Sequence, residues 1–125
     1  MKTVRIALSL AAALFAVPAT AEVRGPILVV THVDFIPTNL TQGLPALEQF
    51  AQQSRSDPGV RSFTLITWAP TTNHFQLIEV FDSITAFNNH VQAAHTVAFR
   101  AAIQPQIGAL YDERLYELAD ASGQR

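Results

Sequence analysis

The sequence contains no cysteine, and its single methionine and single lysine are Met1 and Lys2. Beyond these two residues, the chain therefore has no disulfide, no thiolate nucleophile, no Schiff-base lysine and no sulfur ligand for a metal. Positive charge is also scarce, because residues 22–125 carry ten acidic residues against six arginines. A nucleic-acid partner is not expected, since phosphate binding needs a basic patch.

Several catalytic motifs are missing as well. The sequence has no glycine-rich phosphate loop, no dinucleotide-binding fingerprint and no nucleophile elbow, which argues against phosphoryl transfer, nicotinamide chemistry and triad hydrolysis. No spacing of carboxylates and histidines indicates a dedicated metal site. We therefore expect neither a metal ion nor another cofactor.

The first 21 residues have the layout of a secretory signal peptide. Lys2 and Arg5 precede an apolar stretch over residues 6–17, and Ala19-Thr20-Ala21 is a small-x-small cleavage site before Glu22. The apolar stretch is too short for a stable membrane anchor. We expect export across the inner membrane to the periplasm, with a retained N-terminal anchor as the alternative. Residues 22–125 then form a single domain with its core at about 27–118.

The hydrophobic pattern predicts four strands and two helices. The strands cover residues 27–35, 60–68, 74–81 and 111–118, helical spacing runs from Leu40 to Ala51, and a second helical stretch covers residues 83–104. Asn39 or Thr41 is a candidate cap for the first helix, and Ser83 for the second. The order β-α-β-β-α-β predicts an α+β, ferredoxin-like fold with one antiparallel sheet.

The strands also indicate how the sheet is covered. A sheet with one face in water alternates apolar and polar residues, whereas residues 27–35 are nearly continuously apolar and residues 60–68 have large apolar side chains on both faces. Two helices cover only one face. We therefore predict a homodimer formed through the open sheet face.

Four histidines are candidates for acid–base chemistry. His90 and His95 lie five residues apart, about 140° around an ideal helix, so they flank the apolar stripe on opposite sides, a poor geometry for a shared metal. A helix break near residues 88–89 would change this. His90 is a candidate base, or a hydrogen-bonding residue at such a break, and His95 a second polar group or a satisfied core residue. His32 either is hydrogen-bonded at a sheet edge or faces a cavity, and His74 is expected to be solvated.

Glu79 is a carboxylate within an otherwise apolar strand, so it needs a partner, by default an arginine or a backbone amide. Its role is either structural or catalytic, and it is also a candidate substrate-binding residue. Large aromatic side chains form the expected core, and some of them also suit a flat pocket for an aromatic ligand. These candidate substrate-binding residues are Trp68, Phe75, Phe81, Phe87 and Phe99.

The segment from Phe75 to Phe99 resembles the antibiotic biosynthesis monooxygenase (ABM) domain family. The matching residues are Phe75, Leu77, Glu79, Phe81 and Ser83, then Ala86, Phe87 and His90, then His95 and Phe99. Upstream, Ser54, Arg55 and the turn Asp57-Pro58-Gly59 resemble the family's turn between the first helix and the second strand. The resemblance implies a dimeric α+β barrel whose sheets meet face to face, with a ligand pocket between sheet and helices. Phe81 stands where many relatives carry Trp, and His32 falls near an Asn position of the haem-degrading members.

Two functions from different classes are considered, and the resemblance implies the first of them. Several members of this family oxidise quinol-like or polycyclic phenols with O2 and no metal or flavin, so the first is a cofactor-independent monooxygenase with His90, His95 and His32 as its polar groups. The second is a non-catalytic dimer that binds a hydrophobic metabolite or haem. A third possibility, a structural dimer, predicts a pocket filled by the domain's own Phe and Trp side chains.

Overall fold

The computed structural model describes residue 23 and residues 25–117. The predicted signal peptide, Leu118 of the last predicted strand, and the C-terminal tail lie outside this part. Along the described chain, four strands alternate with three helices and two short 3-10 turns. They are β1 (Ile27–Asp34), a 3-10 turn (Pro37–Asn39), α1 (Leu40–Ser54), β2 (Val60–Thr67), β3 (His74–Phe81), α2 (Ile84–Gln92), α3 (Ala94–Ile103), a second 3-10 turn (Gln104–Gln106) and β4 (Asp112–Glu117).

The strands form one antiparallel sheet in the order β2-β3-β1-β4. This order confirms the predicted ferredoxin-like α+β fold. Ile27 pairs with Phe81 and Asp34 with His74, so β1 and β3 are in register along their whole length. No helix in the described part of the chain is long and apolar enough to cross a membrane.

The helices lie on one face of the sheet, and the core lies between these layers. Strands β1 and β3 alternate buried and half-buried residues because successive side chains point to opposite faces. The buried face packs against α1, α2 and α3 through two clusters of apolar side chains. Phe50 of α1 and Phe99 of α3 stack in parallel, with ring centroids 4.0 Å apart.

The opposite sheet face, called here the open face, bears the other set of strand side chains. It includes Leu28 and Val30 of β1, Ile78 and Val80 of β3, and Ile66 of β2, which is 44% exposed. Trp68, just after β2, is 59% exposed. The prediction that β2 has large apolar side chains on both faces agrees with this burial, because Phe63 is buried and Leu65 half-buried whereas Ile66 is exposed.

The single helix predicted over residues 83–104 is two helices. Ser83 caps α2 as predicted, because its Oγ accepts a hydrogen bond from the Ala86 amide. Helix α2 then ends at Gln92, and Ala93 has extended backbone (φ −61°, ψ 143°) before α3 begins. The break lies at Ala93, not near residues 88–89. In α1, Asn39 occupies the cap position without a capping hydrogen bond from its side chain.

Candidate functional site

One carboxylate contacts two histidines between the helices and the sheet. Asp57 Oδ2 lies 2.7 Å from His90 Nδ1 and 3.0 Å from His95 Nε2. We call these three residues the Asp57–histidine cluster. The side chain of His90 is 1% exposed, whereas those of Asp57 and His95 are 16% and 19% exposed. The cluster thus extends from the protein interior to its edge.

Asp57 is held in place by the turn between α1 and β2. Gly59 has φ +80°, and a Cβ built on it would lie 2.5 Å from Ala86 Cβ in the first turn of α2. The turn therefore packs directly on α2, and only glycine fits there. The Asp82 amide also donates to the Gly59 carbonyl at 2.8 Å. These contacts fix the carboxylate of Asp57 near the end of α2.

The helix break at Ala93 brings the two imidazoles together. On one continuous helix, His90 and His95 would be about 140° apart. Because α2 ends and α3 begins between them, both rings turn toward Asp57, with centroids 5.9 Å apart. The expectation that they flank the apolar stripe on opposite sides is therefore wrong. The structure also brings together a carboxylate and two histidines that no spacing in the sequence indicates. The ligand atoms of Asp57, His90 and His95 all lie within 4.8 Å of one another.

His90 is enclosed by aromatic rings. The centroids of Phe50, Phe63 and Phe81 lie 5.7, 5.8 and 5.2 Å from that of His90. Burial lowers the pKa of His90 below its ordinary value of 6.5, and the hydrogen bond and charge of Asp57 oppose this effect. The ring is therefore neutral at neutral pH. Its Nδ1–H donates to Asp57, which leaves Nε2 as an acceptor facing the sheet.

Glu79 of β3 lies on that side of His90. Its Oε1 accepts a hydrogen bond from the Thr31 hydroxyl at 3.1 Å, and its Oε2 lies 4.0 Å from His90 Nε2. The expected partner, an arginine or a backbone amide, is instead this hydroxyl group. Burial, with a smaller contribution from the charge of Glu113, raises the pKa of Glu79 from 4.5 to about 8. At neutral pH Glu79 is mainly a carboxylic acid.

A second group of polar side chains borders Glu79. Arg100 Nη2 donates to Glu113 Oε1 at 2.6 Å, and its guanidinium lies 5.3 Å from the centroid of the Tyr111 ring. Burial and the nearby charges of Glu79 and Glu113 raise the pKa of the Tyr111 hydroxyl. That phenol is therefore neutral under ordinary conditions. The interior thus holds the uncharged proton donors Glu79 and Tyr111 next to the ion pair of Arg100 and Glu113.

A cleft opens between α1 and α3 beside the cluster. It has a volume of about 270 Å³, with His95 in its wall and the stacked rings of Phe50 and Phe99 at its base. The other lining residues are Ala46, Gln49, Gln53, Ala98 and Ala102. The expected pocket position was between sheet and helices, where aromatic side chains fill the space around His90. The opening next to the cluster lies between the helices, and another cavity, lined by His32, Trp68 and Phe75, lies away from it.

The remaining candidate residues lie elsewhere. His32 is on the open face, where its Nδ1 is 3.3 Å from Gln76 Nε2, so the structure does not bring it to His90 and His95. Exposed Trp68 packs edge-on against His74, with ring centroids 5.7 Å apart. His74 is not simply solvated, because its Nδ1 lies 2.8 Å from Asp34 Oδ1.

The other aromatic candidates belong to the core. Phe75 packs edge-on against Phe35, and Phe81 packs edge-on against Phe87. All four side chains are buried, and Phe87 belongs to α2 itself. Of the predicted substrate-binding residues, Phe99 is the one that lines the cleft next to His95.

Comparisons with known proteins give one family match. The sequence profile described as "antibiotic biosynthesis monooxygenase" matches residues 26–102. No curated protein matches the chain.

Solved structures of similar fold share little sequence with this chain. Rv0793 from Mycobacterium tuberculosis is 20% identical, with a TM-score of 0.72 over 78% of this chain and 98% of that one. A candidate antibiotic biosynthesis monooxygenase from Caulobacter crescentus is 17% identical, with a TM-score of 0.73 over 78% and 93% of the two chains. A similarly described protein from Nitrosomonas europaea is 16% identical, with a TM-score of 0.72 over 78% and 95%. At sequence identities of 16–20%, these comparisons show a similar fold.

We predict that the free energy of unfolding falls as pH rises from about 6.5 to 8. Glu79 keeps its proton in the folded chain up to a pKa of about 8 but loses it near 4.5 when unfolded. The folded state therefore binds more protons in this range, and its stability decreases by up to about 1.4 kcal/mol per pH unit. Below pH 6.5, the lowered pKa of His90 opposes this slope, because the unfolded chain then binds the extra proton.

Urea unfolding at several pH values tests this prediction. Glu79→Gln keeps the shape and an acceptor for Thr31 but cannot titrate, so its stability should be nearly constant between pH 6.5 and 8. Glu48→Gln, on the α1 surface, is the matched control and should retain the wild-type slope. An unchanged slope in Glu79→Gln would assign the pH dependence to another group.

Proposed function

Because the chain belongs to the antibiotic biosynthesis monooxygenase family, we propose that it oxidises an electron-rich aromatic substrate with O2 and without a bound metal or flavin. The substrate class is a hydroquinone or a polycyclic phenol. The observation that carries this proposal is His95, which lines an aromatic cleft while its Nε2 lies 3.0 Å from the carboxylate of Asp57. A base, its counter-charge and an apolar surface for a ring thus occur together.

The cleft suits a small aromatic molecule. Its volume of about 270 Å³ is near the lower end for ligand sites. The parallel rings of Phe50 and Phe99 form an apolar base against which a planar ring can pack. The amides of Gln49 and Gln53 border the same space and can hydrogen-bond to phenolic oxygens. A flat molecule with polar edges matches this lining.

His95 acts as the general base in this proposal. It removes a proton from the phenolic hydroxyl, and the resulting imidazolium is stabilised by the negative charge of Asp57. The phenolate then has the electron density to reduce O2 directly. For a hydroquinone, one oxygen atom enters the ring and the other leaves as water, so the hydroxyquinone product balances both atoms and electrons. The substrate itself supplies all four electrons.

His90 is a positioning residue in this scheme. It is buried and neutral, and its hydrogen bond of 2.7 Å holds the carboxylate of Asp57 toward His95. Glu79, mainly protonated, lies 4.0 Å beyond His90 Nε2. The sequence favoured His90 as the base, but its 1% exposure supports His95 for direct contact with substrate.

A second candidate function is binding without turnover. The space between sheet and helices is filled by aromatic side chains such as Phe63 and Phe81. This packing is what a structural dimer predicts, so a protein that binds a hydrophobic metabolite or haem would hold it at a surface cleft or at a subunit interface. Oxygen uptake distinguishes the two functions, because binding alone consumes none.

We also propose that the protein is an exported homodimer. ABM-domain proteins are typically dimeric, and the half-buried apolar side chains of the open face suit a second copy of the sheet. Export follows from the composition of residues 1–21. Homodimer formation and export describe the state of the protein in which the oxidation would occur.

We expect the purified protein to consume O2 with a panel of hydroquinones in the absence of added metal or flavin. His95→Ala should lower kcat/KM by at least about 100-fold, because general-base catalysis typically contributes 10²–10⁴-fold. Asp57→Asn should lower it comparably, since the imidazolium loses its counter-charge.

His74→Ala is the matched control, because His74 also contacts a carboxylate but lies away from the cleft. It should retain the wild-type rate. Oxygen uptake that is equal in His95→Ala and in the wild type would contradict the proposed base. Tight binding of a quinone or haem with no uptake would favour the binding function.

For the dimer, we expect light scattering after size exclusion to give the mass of two chains. Ile78→Arg places a charge at the centre of the open face and should shift the mass to one chain. Gln52→Arg adds the same charge on the exposed side of α1 and should remain dimeric. A dimeric Ile78→Arg variant would show that the subunits do not meet through this face.

For export, we expect the intact mass of the periplasmic protein to correspond to a chain that begins at Glu22. Ala21→Phe removes a small residue required at the cleavage site and should leave the chain uncleaved. Thr20→Leu changes the unconstrained middle position and should be processed normally. A full-length wild-type chain in the membrane fraction would instead support a retained anchor.

A further inference from the structure

We infer that the Asp57–histidine cluster binds one divalent first-row transition-metal ion. The ligands are His90 Nδ1, His95 Nε2 and a carboxylate oxygen of Asp57, all within 4.8 Å of one another. Two imidazoles and one carboxylate form a ligand set that such ions use in proteins. The inference goes beyond the proposed oxidation, which uses the same side chains without a metal.

The distances within the cluster are close to those of a coordination sphere. Metal–ligand bonds of about 2.1 Å at angles between tetrahedral and octahedral values separate the ligand atoms by roughly 3.0–3.4 Å. Asp57 Oδ2 is 2.7 Å from His90 Nδ1 and 3.0 Å from His95 Nε2. A bound ion would therefore require the carboxylate oxygen to move away from each of these nitrogens by only a few tenths of an ångström.

An unsatisfied nitrogen gives an independent reason. His95 Nε2 is shielded from solvent, and within the described residues it has no hydrogen bond of acceptable alignment, although Asp57 Oδ2 is near. The carboxylate oxygen is aligned with His90 instead. In a metal site without its ion, a buried ligand nitrogen can face an anionic oxygen without a hydrogen bond between them. His95 Nε2 and Asp57 Oδ2 have this arrangement.

The surroundings of His90 match a metal-bound histidine. Such histidines usually direct their second ring nitrogen at a carboxylate or a carbonyl, which fixes the orientation of the ring. His90 Nε2 faces Glu79 Oε2 at 4.0 Å, and Glu79 is anchored by Thr31. With Nδ1 at the metal, the Nε2–H of this buried ring would be directed toward Glu79.

The donor atoms select the class of ion. Mg²⁺ and Ca²⁺ prefer sites made of oxygen ligands, whereas imidazole nitrogen favours Zn²⁺, Fe²⁺, Co²⁺ and Ni²⁺. Three protein ligands leave at least one coordination position for water or another small molecule. Because His95 also lines the cleft between α1 and α3, an ion can enter from that side. The site is thus a three-ligand site near the surface.

Metal binding and base catalysis exclude each other at His95. A cation on Nε2 requires the tautomer that carries its proton on Nδ1, so Nδ1 can no longer accept a proton from the substrate. Zn²⁺, which has no redox chemistry of its own, should therefore inhibit the metal-free oxygen uptake in proportion to its occupancy of the cluster. Binding itself is measured without any turnover, so the two proposals can fail separately.

Chelator-treated protein titrated with Zn²⁺ against a chromophoric competitor tests the inference. We expect one ion per chain, with affinity lowered at least about tenfold in Asp57→Asn and in His95→Ala. His74→Ala, which removes a histidine from the separate Asp34 pair, should stay within about twofold of the wild type. Circular dichroism verifies that each variant is folded.

Co²⁺ provides a second measurement on the unaltered protein. Its visible absorption bands should develop with one equivalent and disappear on addition of Zn²⁺. Failure to bind either ion, or affinity unchanged in both Asp57→Asn and His95→Ala, would overturn the inference. Oxygen uptake by a protein that binds no metal would overturn only the metal site. Metal binding without oxygen uptake would contradict only the proposed oxidation.

Discussion

The rest of the site depends on one negative charge shared by two imidazoles. Asp57 belongs to a turn before β2, His90 to the end of α2 and His95 to the start of α3. Because a partly buried carboxylate needs hydrogen bonds or opposite charge to offset its lost hydration, it ties these three segments to one another. The position of Asp57 determines which nitrogen of His95 is available at the cleft.

Much of the fold could be predicted from the sequence, because it follows from local patterns. The order of elements, the turn at Asp57-Pro58-Gly59 and the cap at Ser83 are each encoded within a few neighbouring residues. The break at Ala93 was not predicted, since alanine gives no signal for a helix end and is the best helix former. The helical spacing of apolar residues continues through Ala93, and it therefore predicted one helix with His90 and His95 on opposite sides of the apolar stripe.

The site was less predictable because its contacts are long-range. Asp57 and His90 are 33 residues apart, and the sequence identified Asp57 only as part of a turn. Thr31 and Glu79 are 48 residues apart, so a hydroxyl partner could not be distinguished from an arginine. Strand pairing and turn packing create these contacts, and neither leaves a local motif. A carboxylate in a fixed turn opposite a histidine-bearing helix is the one signal that could have indicated the cluster.

The extended residue at Ala93 affects how such a site can diversify. Helices α2 and α3 each carry one of the two histidines, and the extended residue Ala93 links the two helices. Substitutions beneath α3 can therefore change the spacing of the two imidazoles while α2 and its histidine stay in place. The identity of the reactive side chains and the distance between them can thus change independently during evolution. Descendants of this domain can alter their chemistry without exchanging a single polar side chain.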